Sequence, residues 1–221
     1  MEELYGDSIQ HRYGSAVVLN NVYINCRLGE VVGLLGRNGS GKSTLLKILF
    51  GSLKPKYKHL KLDGKLFQTG FITGRIAYLS QEFSVPGYLE LKMVVKLYVN
   101  KYAAELLDIP LITENLDRRI GDLSGGQRRL VECLLVIYSD ADYILLDEPF
   151  SQLSPAMIEE MKFHIARFKK EKGFIVTDHY YRQILDVSTR IVLLHNGCNY
   201  HISTEDDLIL HGYLPDKYWK T

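Results

Sequence analysis

The apolar run Val31-Val32-Gly33-Leu34-Leu35 leads straight into Gly36-Arg37-Asn38-Gly39-Ser40-Gly41-Lys42-Ser43-Thr44. A strand that is apolar throughout is buried on both faces, so it needs layers above and below it. The glycines allow a tight turn whose backbone N–H groups converge. Residues 44–50 then read as a helix stopped by Gly51. A helix N-terminus after such a turn is an anion site, because its first N–H groups lack partners and the dipole favours negative charge. Gly36-x4-Gly41-Lys42-Ser43 has the phosphate-loop spacing, with Lys42 for the β- and γ-phosphates of a nucleotide and the Ser43 hydroxyl for Mg2+. The plain alternative is a glycine turn between strand and helix.

The rest of the chain fits an α/β protein with a mostly parallel sheet. Val22, Ile24 and Cys26 alternate with polar neighbours, so residues 15–28 read as antiparallel β structure. Residues 59–62 and 76–79 are short strand candidates, with Asp63-Gly64 as a turn. Leu91, Val94, Val95 and Tyr98 recur at helical spacing, and Pro86 and Pro110 punctuate residues 82–122, which read as a small helical insertion. A helix follows over 127–138, and another carries Ile158, Met161, Ile165 and Phe168 on one face. Tyr143-Ile144-Leu145-Leu146, Phe174-Ile175-Val176-Thr177 and Ile191-Val192-Leu193-Leu194 are further buried strands.

Composition narrows the class. Of 221 residues, 46% are apolar and 24% charged, with a net charge of +1. That balance carries no electrostatic footprint for nucleic acid, and none is expected as a partner. Cys26, Cys133 and Cys198 lack the CxxC spacing of a zinc site and read as small buried hydrophobes in a reducing compartment. No apolar run approaches the ~20 residues that span a bilayer. The chain therefore reads as soluble and cytoplasmic. The two dozen residues after Gly197 are too few for a regulatory domain.

Asp147 and Glu148 close the strand at 143–146. Ligands of open α/β sheets bind at carboxyl ends of strands. There Asp147 would help hold Mg2+ and Glu148 would polarise an attacking water. The alternative is that the pair merely ends the strand.

With these motifs, Leu123-Ser124-Gly125-Gly126-Gln127 makes the chain resemble the ATP-binding cassette (ABC) ATPases, whose signature sequence this is. Locally, Ser124-x-x-Gln127 is also a capping box. The resemblance implies a single ABC ATPase domain over 1–221. Residues 1–81 and 123–221 would form the P-loop core with an N-terminal antiparallel β subdomain, and 82–122 the helical subdomain. It further implies that Ser124, Gly125, Gly126 and Gln127 bind the γ-phosphate of ATP held by an opposite subunit. Tyr13 would stack on adenine, although in a chain with 15 tyrosines an ordinary tyrosine is the plain alternative. Gln81 would touch Mg2+ or the water, and His179 would contact the γ-phosphate and orient Glu148.

Two departures stand out. Ser151-Gln152-Leu153-Ser154 occupies the place of the family's Ser-Ala-Leu-Asp, and the helical insertion is short. The resemblance also implies an ATP-dependent head-to-tail homodimer with two interfacial sites. It would energise a separate membrane permease from the inner face of the membrane, meeting it near Phe83, Pro86 and Tyr88. A soluble, non-transport ABC ATPase such as an assembly factor is the alternative.

Overall fold

The computed structural model describes residues 2–215. Residues 216–221, the end of the tail after Gly197, lie outside that range. In chain order the elements are β1 (Glu3–Tyr13), β2 (Ala16–Arg27), β3 (Val31–Leu35), α1 (Lys42–Phe50), β4 (Tyr57–Leu62), β5 (Lys65–Leu66), β6 (Ile76–Leu79), α2 (Leu91–Tyr98), α3 (Ala103–Leu107) and α4 (Pro110–Thr113). They continue with α5 (Gly125–Ile137), β7 (Tyr143–Asp147), α6 (Pro155–Phe168), β8 (Gly173–Thr177), α7 (Tyr181–Val187), β9 (Arg190–His195), β10 (Cys198–Ile202) and α8 (Glu205–Leu210).

Two sheets result. One is antiparallel in the order β2-β1-β4-β5. The other runs β10-β9-β3-β8-β7-β6 and is parallel except for β10, which pairs antiparallel with β9. Strand order thus separates β3, which leads into the glycine turn, from β7, which ends in Asp147, by the single strand β8.

The all-apolar strands sort their side chains between two cores. Val32 and Leu34 of β3, Leu145 of β7 and Ile175 of β8 face α1 and the antiparallel sheet. Val31 and Leu35, Ile144 and Leu146, and Phe174 and Val176 face α5, α6 and the helices of 91–113. Each fully buried Leu or Ile contributes about 1.5–3 kcal/mol, and these strands collect two such rows. The side chains of α2, α3 and α4 join the second core rather than forming one of their own.

Several boundaries differ from the sequence expectation. Helix α1 starts at Lys42 rather than 44, and α5 at Gly125 rather than 127. In both cases the helix begins inside the motif, and a glycine lowers the helical signal there. Strand β1 escapes the alternation test because Gly6-Asp7-Ser8 interrupts it, with Ser8 at φ 53° and a register shift beside it. The Asp63-Gly64 turn joins β4 to β5 with φ of 51° and 80°, the mirror-turn geometry that suits a twisted hairpin.

Candidate functional site

A cleft of about 640 Å³ opens at the carboxyl ends of β3 and β7. Tyr13, Val18, Asn38, Gly39, Gly41, Lys42, Ser43, Thr44, Gln81, Glu148 and His179 line it. Helix α1 points its N-terminus into it, with Gly41 at the cap and no acidic residue in the first turn, so the field there is left to an anion. Gly41 has φ 102°, and a Cβ on it would meet Val18 Cγ1 at 2.8 Å. The loop can therefore fold under the β1–β2 hairpin only with glycine at 41. Tyr13 and Val18 of that hairpin form one wall. Tyr13 is 54% exposed and its hydroxyl lies 3.5 Å from Thr44 Oγ1. His11 meets its ring edge-on at 4.6 Å.

Gly36, Arg37 and Ser40 belong to the loop but do not line the cleft. The carbonyls of Gly36 and Arg37 accept Lys42 Nζ at 2.8 and 3.4 Å. Ser40 Oγ is buried without a partner. Burial pushes the Lys42 ammonium below its usual pKa, against the pull of Glu148, Asp147 and Asp178. The lysine is thus a concentrated positive charge in a low-dielectric wall, the setting in which it binds phosphate most strongly.

Asp147 is 1% exposed. Its Oδ1 accepts from Ser43 Oγ at 2.9 Å and its Oδ2 from Tyr78 OH at 3.0 Å. Burial raises its pKa, against those two hydrogen bonds. A hydroxyl and a carboxylate side by side suit Mg2+, which takes oxygen donors and keeps phosphate or water in its other positions. The donor set fits that ion: Ser43 and Gln81 line the cleft, and Asp147 lies buried behind Ser43.

Glu148 turns the chain sharply, with φ 54°, an uncommon value for a non-glycine residue that concentrates at functional sites. Its N–H donates to Thr177 O at 2.7 Å. Its Oε2 accepts from Gln81 Nε2 at 3.0 Å, and His179 Nδ1 lies 3.5 Å from the same oxygen. Gln81, Glu148 and His179 come from three separate strand ends, yet they meet at one carboxylate.

Four residues that the sequence reading left without a role hold this arrangement. Arg129, 1% exposed, donates to the carbonyls of Ser80, Asp147 and Glu148 at 2.7, 2.6 and 2.9 Å. Its guanidinium fork thereby ties the ends of β6 and β7 together. Asp178 Oδ2 accepts from Phe150 N and its Oδ1 from Tyr180 N, both at 3.0 Å, bracing Glu148 against His179. Glu132 accepts from the N–H groups of Ser84 and Val85 at 3.0 and 3.4 Å and from Arg128 Nε at 3.3 Å, which fixes the segment after Gln81 to α5. Tyr78 holds Asp147. The signal for Arg129 and Glu132 was present: Arg129 adjoins and Glu132 interrupts a run over 130–137 that is otherwise apolar.

Ser124, Gly125, Gly126 and Gln127 are not among the cleft's lining. They open α5 with the reciprocal capping bonds, Ser124 N to Gln127 Oε1 at 3.0 Å and Gln127 N to Ser124 Oγ at 3.3 Å. A Cβ on Gly126 would meet Gln152 O at 3.0 Å and Met157 Sδ at 3.3 Å. The turn thus packs closely on the 151–154 segment, with Ser124 and Gly125 exposed.

A family model described as ABC transporter matches residues 19–151. The chain belongs to the ABC transporter family. The resemblance drawn from Leu123-Ser124-Gly125-Gly126-Gln127 is borne out, and the chain is an ABC-type ATPase with the mixed α/β fold expected of it. It is 31% identical over 218 residues to the probable sulfate/thiosulfate import ATP-binding protein of Chlorella vulgaris, covering 93% of this chain and 92% of that protein. It is 30% identical to the lipopolysaccharide export system ATP-binding protein of Haemophilus influenzae, covering 89% and 88%. Its fold is that of a solved ATP-binding subunit of an ABC transporter, with a TM-score of 0.82 at 23% identity, covering 96% and 95%. Among the described residues of this ABC ATPase, no helix is long and apolar enough to cross a membrane.

Proposed function

We propose that this chain is the ATP-hydrolysing subunit of a membrane transporter and works as a head-to-tail pair around two ATP sites. The observation that carries the reading is the division of the site. The phosphate loop, Gln81, Glu148 and His179 line one cleft, while the turn at 124–127, with Ser124 and Gly125 exposed, lies elsewhere on the same chain. A two-fold arrangement of two chains brings the second surface of each over the cleft of the other.

In that arrangement Lys42 and the amides of 39–44 bind the phosphates, and Tyr13 stacks on adenine beside Val18. Ser43 and Asp147, with Gln81 nearby, would hold Mg2+, which would supply charge neutralisation to the phosphates. Glu148 takes the proton of the attacking water, and Gln81 and His179 fix its carboxylate for in-line attack at phosphorus. Ser124 and the amides at the start of α5 bind the γ-phosphate from across the interface.

Membrane association would come through a permease chain. Exposed Phe83, Pro86 and Tyr88 on the segment that Glu132 pins to α5 are the favoured contact surface. The Chlorella vulgaris relative is an import protein and the Haemophilus influenzae relative an export protein, so the common element is the ATPase. Their names support the transport reading over a soluble assembly factor.

Glu148→Gln removes the base and keeps ATP bound. ATP turnover should fall by at least ~100-fold, and gel filtration of the variant with ATP and Mg2+ should give a mass of two chains. Turnover at the wild-type rate excludes Glu148 as the base. A variant that binds ATP and stays monomeric excludes the two-site pair for the isolated chain.

A further inference from the structure

Tyr78 sits at the third position of β6, in register with Leu145 of β7. From there its side chain reaches past the strand end to Asp147. The two oxygens of that carboxylate have one donor each, Ser43 Oγ on Oδ1 at 2.9 Å and Tyr78 OH on Oδ2 at 3.0 Å. The donors come from different elements, α1 and β6, and each takes a different oxygen. A carboxylate held through one oxygen still turns about its terminal torsion, which is broad for Asp. Held through both, its plane is fixed.

The phenol is itself well anchored. The Phe50 ring packs on it at 5.4 Å with a 39° tilt. Phe50 is the last residue of α1, the helix whose first turn carries Lys42 and Ser43. The same helix thus supports the carboxylate twice, through Ser43 at one end and through Phe50 and Tyr78 at the other. Tyr78 also borders a surface groove of about 590 Å³ between the core and α2, with Phe71, Val85, Leu97 and Tyr98. One side chain therefore runs from the groove to the carboxylate.

We propose that Tyr78 is a positioning residue that holds Asp147 in the orientation in which it takes Mg2+ beside Ser43. The proposal rests on the reading that Asp147 holds that ion. Partners that orient a metal-binding carboxylate set metal affinity without touching the metal. A tyrosine serving only to satisfy a buried carboxylate affects stability and leaves metal affinity alone.

The test uses the full chain and a fluorescent non-hydrolysable ATP analogue, titrated in Mg2+ and in EDTA. The quantity read is the ratio of the two affinities. Asp147→Asn is expected to abolish the Mg2+ advantage, and Tyr78→Phe to cut it about tenfold while affinity in EDTA stays at the wild-type value. The same ratio is read again as the extra rise in Tm that Mg2+ adds to the analogue, which needs only a folded starting state. Tyr78→Phe keeps the ring and its Phe50 packing, so that state is retained. If Tyr78→Phe keeps the full Mg2+ advantage while Asp147→Asn loses it, the proposal for Tyr78 is wrong and the Mg2+ reading stands, even if Tm falls. If Asp147→Asn keeps the advantage, the Mg2+ reading itself is wrong and the proposal goes with it.

Discussion

Gln81 Nε2 donates to Glu148 Oε2 across 3.0 Å, joining the ends of the neighbouring strands β6 and β7. Hydrogen bonds to a charged group are worth about 1.5–3 kcal/mol, enough to set where a carboxylate points. Gln81→Ala should lower kcat about 10- to 100-fold with little change in nucleotide affinity, since the loop contacts stay. Steady-state ATPase rates over a range of ATP separate the two. A rise in KM at unchanged kcat would assign Gln81 to binding instead.

Arg129 gives a second prediction, about stability. Its guanidinium is buried and bonds three backbone carbonyls, with no carboxylate among those partners. Arg129→Met keeps the bulk and leaves those acceptors unpaired, at about 1–3 kcal/mol for each that water cannot reach. Urea unfolding should lose at least about 2 kcal/mol. Arg129→Lys, which lacks the planar fork, should recover only part of it.

Ser154 stands where the family has aspartate, and its structural task is visible. Its Oγ accepts from Met157 N at 3.4 Å as the N-cap of α6, with Pro155 at the first helical position. Ser154→Ala should cost about 1 kcal/mol of stability by urea unfolding. Ser154→Asp also caps, so its stability should match the wild type. Any change in the ATP-concentration dependence of its turnover then reads contacts across the pair of chains. An Asp variant as unstable as Ala would show that the cap does not operate.

His164 makes stability depend on pH. It is 5% exposed, its Nδ1 lies 3.0 Å from Tyr138 OH, and burial with Arg167 nearby lowers its pKa to about 4. The unfolded chain takes up the proton first, near the ordinary value of 6.5. The resulting stability is complete above about pH 6.5 and is lost as pH falls toward 4, by about 2–3 kcal/mol. Urea midpoints between pH 7 and pH 4.5 should fall more steeply for wild type than for His164→Phe. Equal slopes would mean that the ring is protonated in the fold.

Much of this molecule is legible from short runs of residues. The buried strands at 31–35, 143–147 and 173–177 announce themselves because both faces are covered, so every position is apolar. The phosphate loop and the signature turn are legible because their geometry demands glycine, a capping serine and a lysine at fixed spacing. Strand β1 and the helices α7 and α8 were not legible. Bulges at Gly6-Asp7-Ser8 break the first pattern, and single-sided burial over six or seven residues gives the helices too little period to detect.

The sequence by itself determined which chemistry is available: Lys42, Ser43, Asp147, Glu148, Gln81 and His179 are all present, each at the end of a readable element. Only the tertiary structure decided how they are joined. The strand order puts β8 between β3 and β7, yet Ser43 still reaches Asp147 across 2.9 Å. It also made Arg129 and Glu132 braces and Tyr78 a second hand on Asp147. The contacts that join these strand ends span 18 to 104 residues of sequence. No local propensity encodes them, because they exist only once the sheet has fixed which strand ends are neighbours.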